Sequence, residues 1–177
     1  STISGDSVLT FHRSPENDRV LRVVLGIFGF EDGHALSPNA GQNEFLSAVI
    51  AVRELEPLLN FRTLVQIAAC IEATIPFRAG NERGQSALDL LYDKLRRTVT
   101  IFEIDLTEEK CVQAVQRAAM VANSDVGNFA SPDHKLFIDK TWSLLPESHA
   151  ALRHAYTVYD FQSAGFKMYA CFTGCVK

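Results

Sequence analysis

Apolar positions along this chain recur mostly at intervals of three and four, the spacing that lays one stripe along a helix. Residues 20–30 crowd Val20, Leu21, Val23, Val24, Leu25, Ile27 and Phe28 into a single run. Such a run suits a buried helix or a strand, and its length favours the helix. From Gln42 to Leu59, the residues Phe45, Leu46, Val49, Ile50, Val52 and Leu55 form a helical face. Asn60 is placed to cap the next helix, whose Leu64, Ile67, Ala68 and Ile71 keep the period until Pro76 ends it. A polar, glycine-containing loop over residues 78–85 follows. A helix from about Ser86 then carries Leu88, Leu91, Leu95 and Val99 on one face, and the β-branched stretch 98–104 leaves its end open.

Thr107 before Glu108 and Glu109 predicts a further helix start, because a hydroxyl caps free amides and the acids face the positive end of the helix dipole. Val112, Val115, Ala119 and Ala122 are its expected buried stripe. Ser131-Pro132-Asp133 repeats the start signal, with Ser131 as cap and proline at the first helical position, ahead of Leu136, Phe137, Thr141 and Leu144. After Pro146 one last helix is predicted from about Glu147 through Leu152, Tyr156, Tyr159 and Phe166 toward Phe172. Residues 1–16 read as an irregular or partly helical lead-in. The sum is six or seven helices, no convincing hairpin and no internal repeat over 177 residues, hence a single all-α domain spanning 1–177. The aromatic C-terminal helix, with Phe161, Phe166, Tyr169 and Phe172, is expected to pack across the domain or against a second copy, which opens the prospect of a homodimer.

Composition supports this picture and narrows the partners. At 47% hydrophobic and 21% charged the chain is an ordinary globule, and its Gly 10 and Pro 6 are few enough to leave long elements uninterrupted. A net charge of −4 leaves no basic excess for a phosphate backbone, so duplex nucleic acid is not an expected partner. The apolar runs are shorter than the roughly 20 residues a bilayer span requires, and the first residues lack the pattern of a signal peptide. Cys70 and Cys111 sit in apolar helical patterns, so reduced thiols and a cytoplasmic location are expected.

Two polar clusters interrupt the helical background. One is Glu31-Asp32-Gly33-His34 together with Gln42-Asn43-Glu44, and the other is Asn123-Ser124-Asp125-Val126-Gly127-Asn128. Between them Glu72 stands among apolar residues on a helix expected to be buried, where a carboxylate needs a partner or a metal. Taken singly, these are residues that also serve as caps or solvated loops. Other constellations are weaker still. His149 and His154 are five apart and diverge around a helix, Cys171 and Cys175 lack further ligands for zinc, and the Gly80 to Gly84 loop lacks the ending of a phosphate-binding loop. Arg78 and Arg83 are the side chains of that loop suited to a phosphate.

The order of the clusters resembles the HD superfamily of metal-dependent phosphohydrolases, especially its cyclic-nucleotide-phosphodiesterase-like branch. Phe28-Gly29-Phe30-Glu31-Asp32-Gly33-His34 is similar to that family's Phe-Gly-His-Asp-x-Gly-His helix end. Ala40-Gly41-Gln42-Asn43-Glu44-Phe45-Leu46-Ser47-Ala48 resembles its Asn-Glu-x-x-Ser-Ala helix start, Ile71-Glu72-Ala73-Thr74 its Ile-x-Ala-Thr segment, and Ala122-Asn123-Ser124-Asp125 its Ala-x-x-Asp. The likeness covers roughly residues 20–130. It implies an all-α fold, a divalent metal such as Mn, Fe, Zn or Mg, and a small phosphorylated or nucleotide substrate. In this register Phe30 takes the place of a ligand histidine and Glu31 that of the aspartate, so the implied metal residues are Glu31 and Asp125. His34, Asn43, Glu44, Glu72 and Arg78 would surround them. A register one residue along sets Glu31-Asp32 at the His-Asp positions and loses the match at His34. The early ligand histidine has only His12 as a counterpart, with Glu16 four residues on and Pro15 between them, and residues upstream of Ser1 stay open as its source. Two functions follow: a metal-dependent phosphohydrolase degenerate at its metal site, or a non-catalytic ligand-binding, sensory or assembly domain on the same fold.

Overall fold

The computed structural model describes residues 9–10, 17–31, 33–36, 41–76, 80–127 and 131–175. The chain is all-α, with seven helices of eight residues or more among these residues and three short helical turns of three or four. Five of the long helices build the main body: α1 (Arg19–Phe28), α2 (Gln42–Leu55), α3 (Phe61–Ala73), α4 (Ala87–Ile101) and α5 (Glu108–Gly127). The C-terminal part adds α6 (His134–Thr141), the short α7 (Leu145–Ser148) and α8 (Val158–Cys175). A two-residue antiparallel pairing of Leu9–Thr10 with Ala35–Leu36 is the strand content of the described residues; it joins segments far apart in sequence and is not a hairpin.

Caps place most of the helix starts where the sequence predicts them. Asp18 accepts from the Leu21 amide and Asn60 from the Thr63 amide. At Ser86 the hydroxyl accepts from the Asp89 amide while the Asp89 carboxylate accepts from the Ser86 amide, a reciprocal box that satisfies two otherwise orphaned donors. Cross-helix contacts then fix the directions. α1 and α4 run antiparallel, since Arg22 lies over the Phe102 ring and Gly26 meets Thr98. α1 and α2 are also antiparallel, because Asp18 pairs with Arg53 and Phe28 packs on Phe45. α3 and α5 run in the same direction, with Arg62 on Asp105 at 2.6 Å and Arg117 donating to Gln66 at 2.7 Å. An up-down bundle results, with one large core that includes Ile27, Phe45, Leu64, Leu91 and Leu95. A second, small core of Phe137, Leu145, Ala164 and Met168 sits under α6 and α8.

Three expectations need correction. The last helix is not continuous from Glu147: it is interrupted by His149, whose backbone is extended, and restarts at Val158, where Thr157 and Asp160 form a second capping box. The cap of α6 is Asp133 rather than Ser131, because the Asp133 carboxylate accepts from the amides of Lys135 and Leu136. The buried stripe of α5 is Cys111, Ala114, Val115 and Ala118, one step around from the expected stripe, so that Val112 faces solvent. Small residues on that stripe let α3, itself rich in Ala68 and Ala69 at the contact, approach closely.

The same crowding holds α1 against α4. A Cβ on Gly26 would come within 2.6 Å of Thr98 Oγ1, whose hydroxyl donates to the Lys94 carbonyl. Glycine to alanine inside a helix ordinarily gains about 1 kcal/mol. Gly26→Ala should instead lose about 1–3 kcal/mol by overpacking, read as a lower urea midpoint; a gain would refute the close approach.

The capping carboxylates add a pH dependence of known sign. Hydrogen bonds from the Ser86 hydroxyl and amide hold Asp89 below the ordinary carboxylate range, and those from the Thr157 amide and hydroxyl do the same for Asp160. Their contribution is present above the unfolded-state pKa of about 3.9 and is lost as pH falls through the lower folded value. Asp89→Asn should therefore be less stable than the parent at neutral pH, and urea curves at decreasing pH should show the gap closing. A gap that persists unchanged in acid would contradict the assignment.

Candidate functional site

The end of α1, the start of α2 and the end of α3 meet at one end of the bundle, where Phe28 packs on Phe45 and Ile75 packs at Gly41. α1 ends at Gly29, in the left-handed conformation with φ 70°, which lets the Gly29 amide reach Gly26 and Leu25 and turns the chain into Phe30. The glycine is needed twice, because a Cβ there would also lie 2.8 Å from Cδ of Lys94. α2 begins at Gly41, likewise left-handed, with Ile75 from the end of α3 packed where a side chain would stand. The parallel course of α3 and α5 carries Asp125, near the end of α5, toward the same end as Glu72.

Glu72 is the chemical centre of this region. It is 1% exposed, on the core face of α3, and its Oε1 accepts from Lys94 Nζ at 2.5 Å. The Lys94 side chain comes from α4, passes over Gly29 and is 27% exposed, so its ammonium lies between core and solvent. An ion pair with one buried member is held chiefly by the cost of leaving that member uncompensated. Lys94 went unnoticed in the sequence, although the signal was there: it stands three residues after Leu91 and four before Thr98, both buried, so it lies at the edge of an apolar stripe.

Phe30, at the position of the expected ligand histidine, is packed rather than polar. Its ring stacks on His34 at 4.2 Å with 14° between planes and meets Phe28 at 5.7 Å and Phe45 at 5.3 Å. His34 is thus held by a ring face, with its amide donating to the Glu31 carbonyl. Glu31 and Asp125 are both exposed, Asn43 is exposed, and Glu44 is half-buried in the first turn of α2. Arg78, His12, Glu16 and Asp32 lie outside the described residues. Among the described residues no three His, Cys, Asp or Glu side chains come together as a group able to hold a metal ion.

Burial pushes the thiols of Cys70 and Cys111 above their usual range, partly offset at Cys70 by the nearby Arg117 and at Cys111 by Arg96. No helix among the described residues is long and apolar enough to cross a membrane.

No protein-family model, no curated protein and no solved structure matches this chain. What the region does must be argued from its own side chains. These bring a buried carboxylate, a protein ammonium and a stacked aromatic cluster to one bundle end.

The ion pair makes a direct prediction. Lys94→Ala should lower stability by about 2–4 kcal/mol, less than a fully buried pair would lose, since the lysine is partly solvated. Adding Glu72→Leu should recover much of that loss, because the second change removes the charge left behind. Urea unfolding of the parent, the single variant and the double variant measures the cycle; a neutral Lys94→Ala would show that Glu72 does not depend on it.

Proposed function

We propose that this chain is a divergent helical domain of HD type in which an internal ammonium takes the place of a catalytic cation, and that it serves as a non-catalytic assembly domain. The observation that carries the reading is the pairing of Lys94 Nζ with the buried Glu72 carboxylate at 2.5 Å. A divalent cation beside a buried carboxylate supplies positive charge, and so does Lys94. An ammonium, however, has no open coordination position at which a water could be activated. Phe30 supports the same reading, since its ring offers no lone pair at the position where the resemblance implies a ligand histidine.

A domain that has left hydrolysis behind can bind, sense or assemble. Exposed apolar side chains on α6, on the turn after it and on α8, among them Ile138, Trp142, Tyr159 and Phe166, favour assembly, because exposed apolar surface marks contact faces. Free thiols at Cys70 and Cys111 go with a reducing, cytoplasmic compartment. A small phosphorylated molecule or nucleotide belongs to the hydrolase reading and enters as an outcome of the test.

The test is metal binding and turnover by the purified full chain. Titration calorimetry with Mn, Zn and Mg ions should give no stoichiometric binding, and nucleotide and generic phosphodiester substrates should not turn over. Stoichiometric metal together with turnover that Glu31→Ala and Asp125→Ala both abolish would overturn the proposal and establish the hydrolase.

A further inference from the structure

The apolar core is divided between two sets of helices. Twenty-four buried apolar side chains, all between Val20 and Ala118, form the core of the five-helix body. Four others, Phe137, Leu145, Ala164 and Met168, form the core of the C-terminal part, and Val126 near the end of α5 packs against them. α6 and α8 each bury one narrow stripe, Phe137 with Thr141 and Ala164 with Met168, in each case four residues apart. Polar contacts follow the same division. Within residues 131–175 the Asp133 carboxylate caps α6, Arg153 donates to the Pro146 carbonyl, and Thr157 with Asp160 caps α8. The Tyr169 ring meets Phe137 at 5.7 Å and Trp142 meets Phe161 at 5.8 Å, so α6 and the turn after it are joined to α8 at two places. The body is tied by cross-helix bonds of its own, Asp18 to Arg53, Arg62 to Asp105, Gln66 to Arg117 and Glu72 to Lys94.

We infer that residues 131–175 form a cap that opens from the end of α5 as one cooperative unit while the five-helix body stays folded. A region opens at a free energy set by the buried contacts that opening breaks, so a part with few of them opens ahead of the rest. Opening here gives up the four-residue core and its contact with Val126. It leaves the large core and the Glu72–Lys94 pair intact. The helices of the cap open together, because α6 and α8 bury their stripes against each other and neither keeps a core when the other leaves. Apolar surface thereby becomes conditional: Phe137, Leu145 and Met168, at 7%, 8% and 0% exposure, reach solvent fully only in the open form. The cap depends on how the core is divided and not on the chemistry at Glu72, so it holds whether or not the domain is of HD type.

Native-state hydrogen exchange of the full chain, read segment by segment by mass spectrometry in sub-denaturing urea, tests this. Amides of α6 and α8 should exchange at least about tenfold faster than the slowest amides of α3 and α5, with one shared dependence on urea. Ile27→Val, a mild change in the large core, should quicken the slowest α3 and α5 amides by about two- to tenfold. It should leave those of α6 and α8 at the parent rate, because opening of the cap does not expose Ile27. Met168→Ala should quicken α6 and α8 together by about thirtyfold or more. If that variant opens the cap outright, amides of α6 and α8 lose protection while those of α3 and α5 remain protected. Amides of α6 and α8 as slow as the slowest of α3 and α5, or quickened by Ile27→Val to the same extent, would show a single cooperative molecule and overturn the inference. Separate urea dependences for α6 and α8, or rates there that Met168→Ala leaves unchanged, would overturn it as well.

Discussion

A carboxylate at 1% exposure inside an apolar bundle sets demands on everything around it. It must be met by positive charge, because the cost of an isolated buried anion exceeds what the packing of one helix returns. Glu72 is met by Lys94, and this requires α4 to lie where its lysine can reach across the end of α1. The reach passes close over Gly29, where a Cβ would lie 2.8 Å from Lys94 Cδ, and that glycine also allows the left-handed turn that ends α1. Phe30 then follows into an aromatic cluster with Phe28, Phe45 and His34, which ties the turn to the start of α2. One electrostatic requirement thereby couples four helices at the bundle end.

The two cores divide the molecule unequally. The large core takes its stability from close helix contacts, including Gly26 on Thr98 and the alanine-lined approach of α3 and α5. At the opposite end from Glu72, Arg19 donates to the Phe102 carbonyl and lies over the Phe61 ring at 4.4 Å, fastening α1 to the end of α4 and the start of α3. The small core under α6 and α8 buries far fewer side chains and leaves large apolar ones on the surface.

Much of this was readable from residue order, for local reasons. Asn60, Ser86 and the Thr107-Glu108-Glu109 start act within one turn of themselves, so the beginnings of α3, α4 and α5 follow from sequence alone. The break before α8 was missed because Thr157 and Asp160 sit inside an aromatic run whose period continues through them. The buried stripe of α5 was read one step off because its contact is built from Cys111, Ala114 and Ala118, which weigh little in a hydrophobic pattern beside Val112. Glu72 was legible as a carboxylate in need of a partner. Its partner was not, because pairing across 22 residues of sequence depends on how α3 and α4 pack rather than on any local signal. The Phe-Gly-Phe-Glu-Asp-Gly-His segment closes α1 at the same end of the bundle as this ion pair, since Lys94 passes over Gly29.

The central claim is that Lys94 stands in place of a metal ion at Glu72. The most direct measurement is anomalous scattering from crystals grown with manganese and measured on both sides of its absorption edge. The account predicts the Lys94 ammonium on Glu72 and no anomalous peak at this end of the bundle. A peak within the roughly 2.0–2.6 Å ligand distance of Glu31, Asp125 or Glu72 carboxylate oxygens, with Lys94 displaced, would contradict it.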